Sequence, residues 1–503
     1  MSAGSDFDIV IVGGGTAGWM SAAALARFAP RAHRIALVES EAIGTVGVGE
    51  ATIPAIRVFN DALGIDEAEF LQATSGSLKL GIAFEGWREP GHDYMHAFGP
   101  IGRPIGLVHF KDHWARANAL GFARPLAHYS VNEVAGRTMR VPGKRPSATQ
   151  SEVPFAYHFD AGLYAGFLRE YAEAREVSRH EGTVSAVERD AESGDIAAIV
   201  LADGRKIAGD FFIDCTGFRG LLIEQELSAG YEDWTHWLPC DRAIAVPCSP
   251  GGGLLPYTRS IARKAGWQWR IPLQHRIGNG IVYCSEFMDD DEAAQVLLAN
   301  LDGAPQADPR PLCFATGKRR KLWERNCLAV GLSSGFMEPL ESTSIHLIQS
   351  TITRFLTMLP RGPVDASVRD EFNRMADFEF ARIRDFLILH YKANGRTGEP
   401  FWDRCRDMDI PETLASKIDQ FRSSGVFRQV HEELFTEDAW LQVMVGQGIF
   451  PQSWNAMADD LDEAKLREFL GVIEQSTLDQ VRTMPMHIDV LAAVAGQRQG
   501  HAA

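Results

Sequence analysis

Gly13, Gly15 and Gly18, within Gly13-Gly14-Gly15-Thr16-Ala17-Gly18, have the spacing of a loop that cradles a pyrophosphate. Gly13 is expected to make the tight turn, Gly15 to let the backbone approach the phosphates, and Gly18 to let a helix pack against a strand. Thr16 and Ala17 complete the turn ahead of a helix whose exposed N–H groups favour an anion. Glu39 lies 21 residues beyond Gly18 and can accept hydrogen bonds from the hydroxyls of an unphosphorylated adenosine ribose. The chemistry implied is the binding of FAD or NAD. Two other spacings compete. Gly331-Leu332-Ser333-Ser334-Gly335 satisfies the nucleophile elbow of a serine hydrolase, with Asp365 and His390 as downstream partners, but that reading leaves the glycine fingerprint and Glu39 without a role. His109 and His113 are a helical metal pair without a third ligand in reach, so no metal is expected. By residue type alone, Lys79 would snorkel at a surface, Glu341 would complement a helix dipole, and His96 and Phe98 would fill a core.

The elements that must position these groups follow from pattern. Phe7 to Val12 is an apolar strand meeting the glycine turn, Trp19 to Phe28 an Ala-rich helix, and Arg34 to Val38 a second strand ending at Glu39. Lys206 to Gly217 is a strand entering the turn Asp214-Cys215-Thr216-Gly217. No second glycine fingerprint follows, since Gly251-Gly252-Gly253 runs into Leu-Leu-Pro without a helix; reduced flavin is therefore expected from a separate NAD(P)H-dependent reductase. Trp267, Trp269 and Ile271 alternate along a strand, and Asn279-Gly280 offers a hairpin turn into Ile281 to Cys284. Asn326 to Val330 is a buried strand and Gly331 to Gly335 a turn, with Ser342 or Thr343 capping the helix Ile345 to Met358. That helix N-terminus suits a halide or the flavin pyrimidine oxygens. Beyond Pro360 the pattern is helical, with Val368, Phe372 and Met375 on one face, Ile383, Phe386 and Leu387 continuing an apolar stripe, and a helix opened by Pro411 and closed by Gly425.

Three segments resemble the flavin-dependent tryptophan halogenases: Val46-Gly47-Val48-Gly49-Glu50-Ala51-Thr52-Ile53-Pro54, Gly266-Trp267-Gln268-Trp269-Arg270-Ile271-Pro272, and Pro339-Leu340-Glu341-Ser342-Thr343-Ser344-Ile345. The WxWxIP stretch is the most specific, and with the fingerprint the resemblance covers roughly residues 5 to 360. It implies an α/β fold: a Rossmann-like FAD-binding fold of the hydroxybenzoate hydroxylase type with an added, mainly helical carboxyl-terminal lobe. The expected division is an FAD-binding and halogenation domain over 1–360 and a helical lobe over 361–503 that covers the substrate. The resemblance implies that FAD, as FADH2, reacts with O2 and chloride or bromide to give hypohalous acid. Lys79 would hold that species by hydrogen bonding or as a haloamine, and Glu341 would polarise it or accept the ring proton. Gly49, Ala51 and Ile345 join the cofactor site. The N–H groups of Thr343 and Ser344 bind the halide, with Ser344 replacing the family's glycine. The tryptophans of WxWxIP would keep flavin and substrate apart, which favours halogenation over hydroxylation. His96 and Phe98 would sandwich an indole ring. Phe435 and Trp440, with Leu434 and Leu441, stand where the family grips the amino-acid end of tryptophan; their apolar character implies a neutral indole-like substrate. The alternatives are a flavin-dependent aromatic hydroxylase and a non-catalytic flavin-binding sensor.

A net charge of -16 without any Lys/Arg-rich run argues against nucleic acid or an anionic membrane as partner, leaving a small aromatic substrate and the reductase. A homodimer is the candidate assembly. Seven scattered cysteines without a CxxC pair fit a reducing cytoplasm, and the first residues lack the basic and apolar regions of a signal peptide. No apolar run is long enough to span a bilayer.

Overall fold

The computed structural model describes residues 6–30, 33–42, 49–143, 152–251, 253–426, 429–430 and 432–500. It contains two compact units, each built from three stretches of chain. One comprises Met1–Gly76, Phe159–His236 and Phe314–Phe380; the other comprises Ser77–His158, Trp237–Cys313 and Ala381–Ala503. These units run differently from the expected division at residue 360. The chain leaves and re-enters each unit twice, which pattern along a sequence does not reveal.

In the first unit the strand Phe7–Val12 lies between parallel partners, Ile35–Glu39 on one side and Lys206–Asp214 on the other. Cys327–Ala329 extends the parallel set beyond Lys206–Asp214, and Ser178–Glu181 extends it beyond Ile35–Glu39. Phe7–Val12, Ile35–Glu39 and Cys327–Ala329 are mainly apolar and buried, as the covered part of a parallel sheet requires, while Ser178–Glu181 at the edge is polar. Val10, Val12, Ala36, Val38, Phe212 and Ala329 form one buried cluster. The helix Thr16–Phe28 packs on Ala161–Glu173 and on Ser344–Thr357. This is the expected Rossmann-like arrangement of strand, glycine turn, helix and parallel strand.

The second unit holds a seven-stranded sheet in the order Pro311–Cys313, Arg242–Ala245, Ile277–Tyr283, Gly266–Pro272, Thr258–Arg263, Gly81–Glu85, Asp93–Ala97. Its one parallel pair joins Thr258–Arg263 to Gly81–Glu85. Helices complete the unit, including Glu412–Ser424, begun by Pro411 and ended by a left-handed Gly425. Asn279-Gly280 is not the expected hairpin turn. Both residues lie within the strand Ile277–Tyr283, where Gly280 faces Trp269, and a Cβ on Gly280 would come 2.0 Å from the indole ring. The glycine makes room for a tryptophan across the strand, a use the dipeptide signal cannot distinguish from a turn.

Candidate active site

The nucleotide cradle lies within the first unit. Gly13 has φ +114°, and a Cβ there would meet the Cys215 carbonyl oxygen at 2.3 Å. A Cβ on Gly18 would sit 1.8 Å from the Gly13 oxygen, so the turn closes only with glycine at both places. Nothing lies within 4 Å of where a Gly15 Cβ would stand. Gly15 is the N-cap of the helix Thr16–Phe28 and no side chain caps that end. Open space before an uncapped helix N-terminus fits a pyrophosphate. Glu39 ends its strand with its carboxylate held by Trp19 Nε1 at 3.2 Å and Arg179 Nε at 2.5 Å. Arg179 was not apparent in the sequence because it arrives on the separate strand Ser178–Glu181. Asp214, fully buried, fixes the next turn by accepting from the Thr216, Leu222 and Ile223 amides at 2.8 to 2.9 Å. Gly49 and Ala51 bound a short strand, and Val46, Gly47 and Val48 lie outside the described residues. Glu50 between them is pushed up to about 7 by burial.

The same unit carries a second helix N-terminus. Ser344–Thr357 begins after Thr343, which occupies the N-cap position without a side-chain cap. Ser342 and Thr343 are 3% and 1% exposed, so this N-terminus is withdrawn from bulk water. Ser342 adopts a left-handed conformation, φ +59°, that residue types alone do not reveal. It separates the helix from the short turn Pro339–Glu341, whose Glu341 is 1% exposed. Glu341 is therefore not a first-turn residue of the helix. Ser344 and Ile345 open the helix itself, with amides that an α-helix leaves without internal partners. The nucleophile-elbow alternative fails here: Ser333 is fully buried, and its hydroxyl is spent on the Val330 carbonyl, 2.9 Å away, and on that of Asp214.

Within the second unit Lys79 ends the strand Ser77–Lys79 and is 0% exposed, not snorkelling. Its ammonium lies 5.4 Å from the Phe98 ring centroid. The strand pairs antiparallel with Ala156–Asp160. Two imidazoles that no motif marks touch it. The Ser77 hydroxyl donates to the Pro272 carbonyl at 2.6 Å and lies 3.2 Å from His158 Nδ1, while the Leu78 amide donates to His487 Nε2 at 3.1 Å. Burial holds His158 well below the ordinary histidine range and pushes His487 down to about 4.

An aromatic cluster forms in the same unit. His96 meets Phe386 at 5.5 Å and Phe435 at 6.1 Å; Phe386 stacks on Phe435 at 3.8 Å and meets Trp440 edge-on at 4.8 Å. His96, Phe98, Phe435 and Trp440 are each 8% exposed or less. Gln442 clamps the strand of His96 to the helix of Trp440, accepting from the Ala97 amide at 2.9 Å and donating to its carbonyl at 3.1 Å. Phe386, expected only as part of a helical stripe, is the ring on which the cluster is centred. His113 is buried, and among the described residues no group of three or more His, Cys, Asp or Glu could hold a metal.

Comparison with known proteins joins these observations. The sequence profile described as Tryptophan halogenase matches residues 8–463. The tryptophan 6-halogenase SttH of Streptomyces toxytricini is 34% identical over 522 residues, covering 97% of this chain and 98% of its own. The tryptophan 7-halogenase RebH of Lentzea aerocolonigenes is 31% identical over 523 residues, covering 95% and 96%. Among solved structures, a flavin-dependent halogenase from Xanthomonas campestris matches with a TM-score of 0.94 at 48% identity, over 97% of this chain and 98% of that one. BrvH, a flavin-dependent halogenase from Brevundimonas sp. BAL3, matches at 0.92 and 42%, over 97% and 99%. A glycine cradle on a Rossmann-like sheet, matched along nearly the whole length of these proteins, places the chain in the family of flavin-dependent tryptophan halogenases.

Proposed function

We propose that this protein is an FADH2-dependent halogenase of a neutral, indole-like aromatic compound. The observation that carries the reading is a lysine with no solvent exposure, Lys79, set against an aromatic ring. A hydroxylase has no need of such a group, whereas halogen transfer needs an amine kept from water to hold an electrophile.

Gly13, Gly15, Thr16, Ala17 and Gly18 would hold the FAD pyrophosphate, Glu39 the ribose, and Gly49, Ala51 and Ile345 the remainder of the cofactor. When bound and reduced, FAD would activate O2, which supplies the oxidising equivalents that convert chloride or bromide to hypohalous acid. The amides of Thr343 and Ser344 would hold the halide at the uncapped helix end, where the partial positive charge favours it. Replacement of glycine by Ser344 keeps the N–H. Lys79 would donate a hydrogen bond to hypohalous acid, or carry its halogen as a haloamine, and present that halogen to a ring carbon. Glu341 would accept the proton that the same ring carbon loses. The lack of a second glycine fingerprint supports a separate NAD(P)H-dependent reductase as the electron donor. No helix among the described residues is long and apolar enough to cross a membrane.

His96, Phe386, Phe435 and Trp440 support an aromatic slot, and the charged groups described beside it are engaged with one another. Lys417, 4.3 Å from the Trp440 ring, is paired with Glu433 at 2.7 Å. The relatives described only as flavin-dependent halogenases are 48% and 42% identical to this chain, against 34% for the tryptophan 6-halogenase SttH.

The test combines the protein with FAD, NADH, a flavin reductase, indole and either halide, and reads the products by mass spectrometry. A ring-halogenated product that vanishes without halide is expected. A hydroxylated product, or turnover indifferent to halide, would overturn the reading. Without the reductase, NADH should leave the bound flavin oxidised under anaerobic conditions.

A further inference from the structure

We propose that His487, on the helix His487–Gly500, is a positioning residue for Lys79: its imidazole fixes the edge of the strand that carries the lysine, from 409 residues along the chain. The inference rests on the reading of Lys79 given above. The strand Ser77–Lys79 is three residues long and pairs with Ala156–Asp160 along one edge. So short a strand cannot hold a side chain in place through its ladder alone. Its Leu78 amide instead donates to His487 Nε2, and His487 Nδ1 donates to the Leu254 carbonyl at 2.9 Å. These two bonds require one neutral tautomer, with the proton on Nδ1; a protonated ring would set an N–H against the Leu78 N–H.

The imidazole is itself held. The His487 amide donates to the Met139 carbonyl at 2.8 Å and the Val141 amide to the Pro485 carbonyl at 3.1 Å, with Arg140 reaching the Met484 carbonyl. The residue is 1% exposed. On the preceding residue of the strand, the Ser77 hydroxyl meets His158 Nδ1, and His158 Nε2 is hydrogen-bonded to the Thr258 hydroxyl at 2.9 Å. Lys79 thus follows directly on a backbone gripped by two neutral rings, and the carboxyl-terminal helix supplies one of them. The side chain of glutamine can make both bonds of His487, accepting through its amide oxygen and donating through its amide nitrogen; leucine can make neither.

The test compares His487→Leu and His487→Gln with the wild type in the presence of reductase, bromide, indole and a cyclic 1,3-diketone that traps free hypobromous acid. In His487→Leu the ratio of ring-brominated product to trapped halogen should fall about tenfold, the scale of response to a misplaced reacting group. Flavin affinity and flavin oxidation should be unchanged, because His487 contacts the strand of Lys79 and not the glycine cradle. His487→Gln should restore most of the ratio. A merely structural role would lower all three measures together, and that outcome would overturn the inference, as would an unchanged ratio in His487→Leu. If the leucine variant does not fold, His487→Asn takes its place, and a ratio no lower than that of His487→Gln would overturn the inference. Lys79→Met is run in parallel. Ring bromination by that variant would remove the reading of Lys79 and the inference with it, whereas its loss alongside full coupling in His487→Leu would remove the inference alone.

Discussion

Glu341 shows what a single carboxyl can do once it leaves solvent. Residue type offered a helix-dipole role, but the side chain is 1% exposed on its own turn, and left-handed Ser342 separates it from the helix. A buried carboxylate with no dipole to serve is suited to proton transfer. Glu341→Gln keeps shape and hydrogen bonding but cannot take a proton, so halogenation should slow by roughly a hundredfold. Flavin content, read by the absorbance of the purified protein, should be unchanged. Retention of the wild-type rate would show that the ring proton leaves by another route. Lys79 was misread by residue type for a related reason. A lysine between Leu78 and Leu80 looks like a surface side chain, and only the resemblance in neighbouring motifs assigned it to chemistry. Phe98 lies against its ammonium and Ala156 pairs with it across the strands, and neither is near enough in sequence to register as a pattern.

At the scale of elements, the dinucleotide half was the most legible. Strand, turn, helix, strand and acid follow one another within 39 residues, so local propensity and function point the same way. The helix from Pro411 to Gly425 was legible from its terminal residues. What escaped was cross-strand packing, as at Asn279-Gly280, where the partner that decides the meaning of the glycine, Trp269, lies on the preceding strand. Gly280→Ala tests this. Its methyl would push into the Trp269 ring, and overpacking of this kind costs about 1–3 kcal/mol. Thermal denaturation should show a clear drop in Tm, and Gly280→Ala with Trp269→Phe should recover part of it. A Gly280→Ala variant as stable as wild type would mean that the sheet absorbs the methyl without strain.

For the whole molecule, buried titratable groups set how stability responds to pH. His487 and His158 are held neutral, with His487 at about 4 against an ordinary value of 6.5. As pH falls below about 6.5, the unfolded chain takes up these protons first, so the stabilisation present above that pH is lost as it approaches 4. Glu50 and Glu133, both raised to about 7 by burial, act in the opposite direction: their cost is absent below about 4.5 and grows as pH rises to 7. The opposing signs flatten the raw Tm profile, and a comparison of variants separates them. The stability gap between wild type and His487→Gln should narrow by about 3 kcal/mol between about pH 7 and pH 4. A constant gap would mean that folding does not weaken proton binding by His487. Substrate choice belongs to this scale too, because the proposed slot draws Phe386, Phe435 and Trp440 from two helices and a connecting segment to the strand of His96. Burying a zwitterion there would leave charges unpaired, so in equimolar competition indole should outrun tryptophan by about tenfold or more, which needs only about 1.4 kcal/mol of transition-state discrimination. A mixture dominated by halotryptophan would contradict the neutral slot. The most direct test of the account is the fate of the halogen in Lys79→Met, supplied with reductase, bromide, indole and the 1,3-diketone trap. The account expects flavin to bind and be oxidised and free hypobromous acid to be trapped, with no bromoindole formed; ring bromination at the wild-type rate would contradict it.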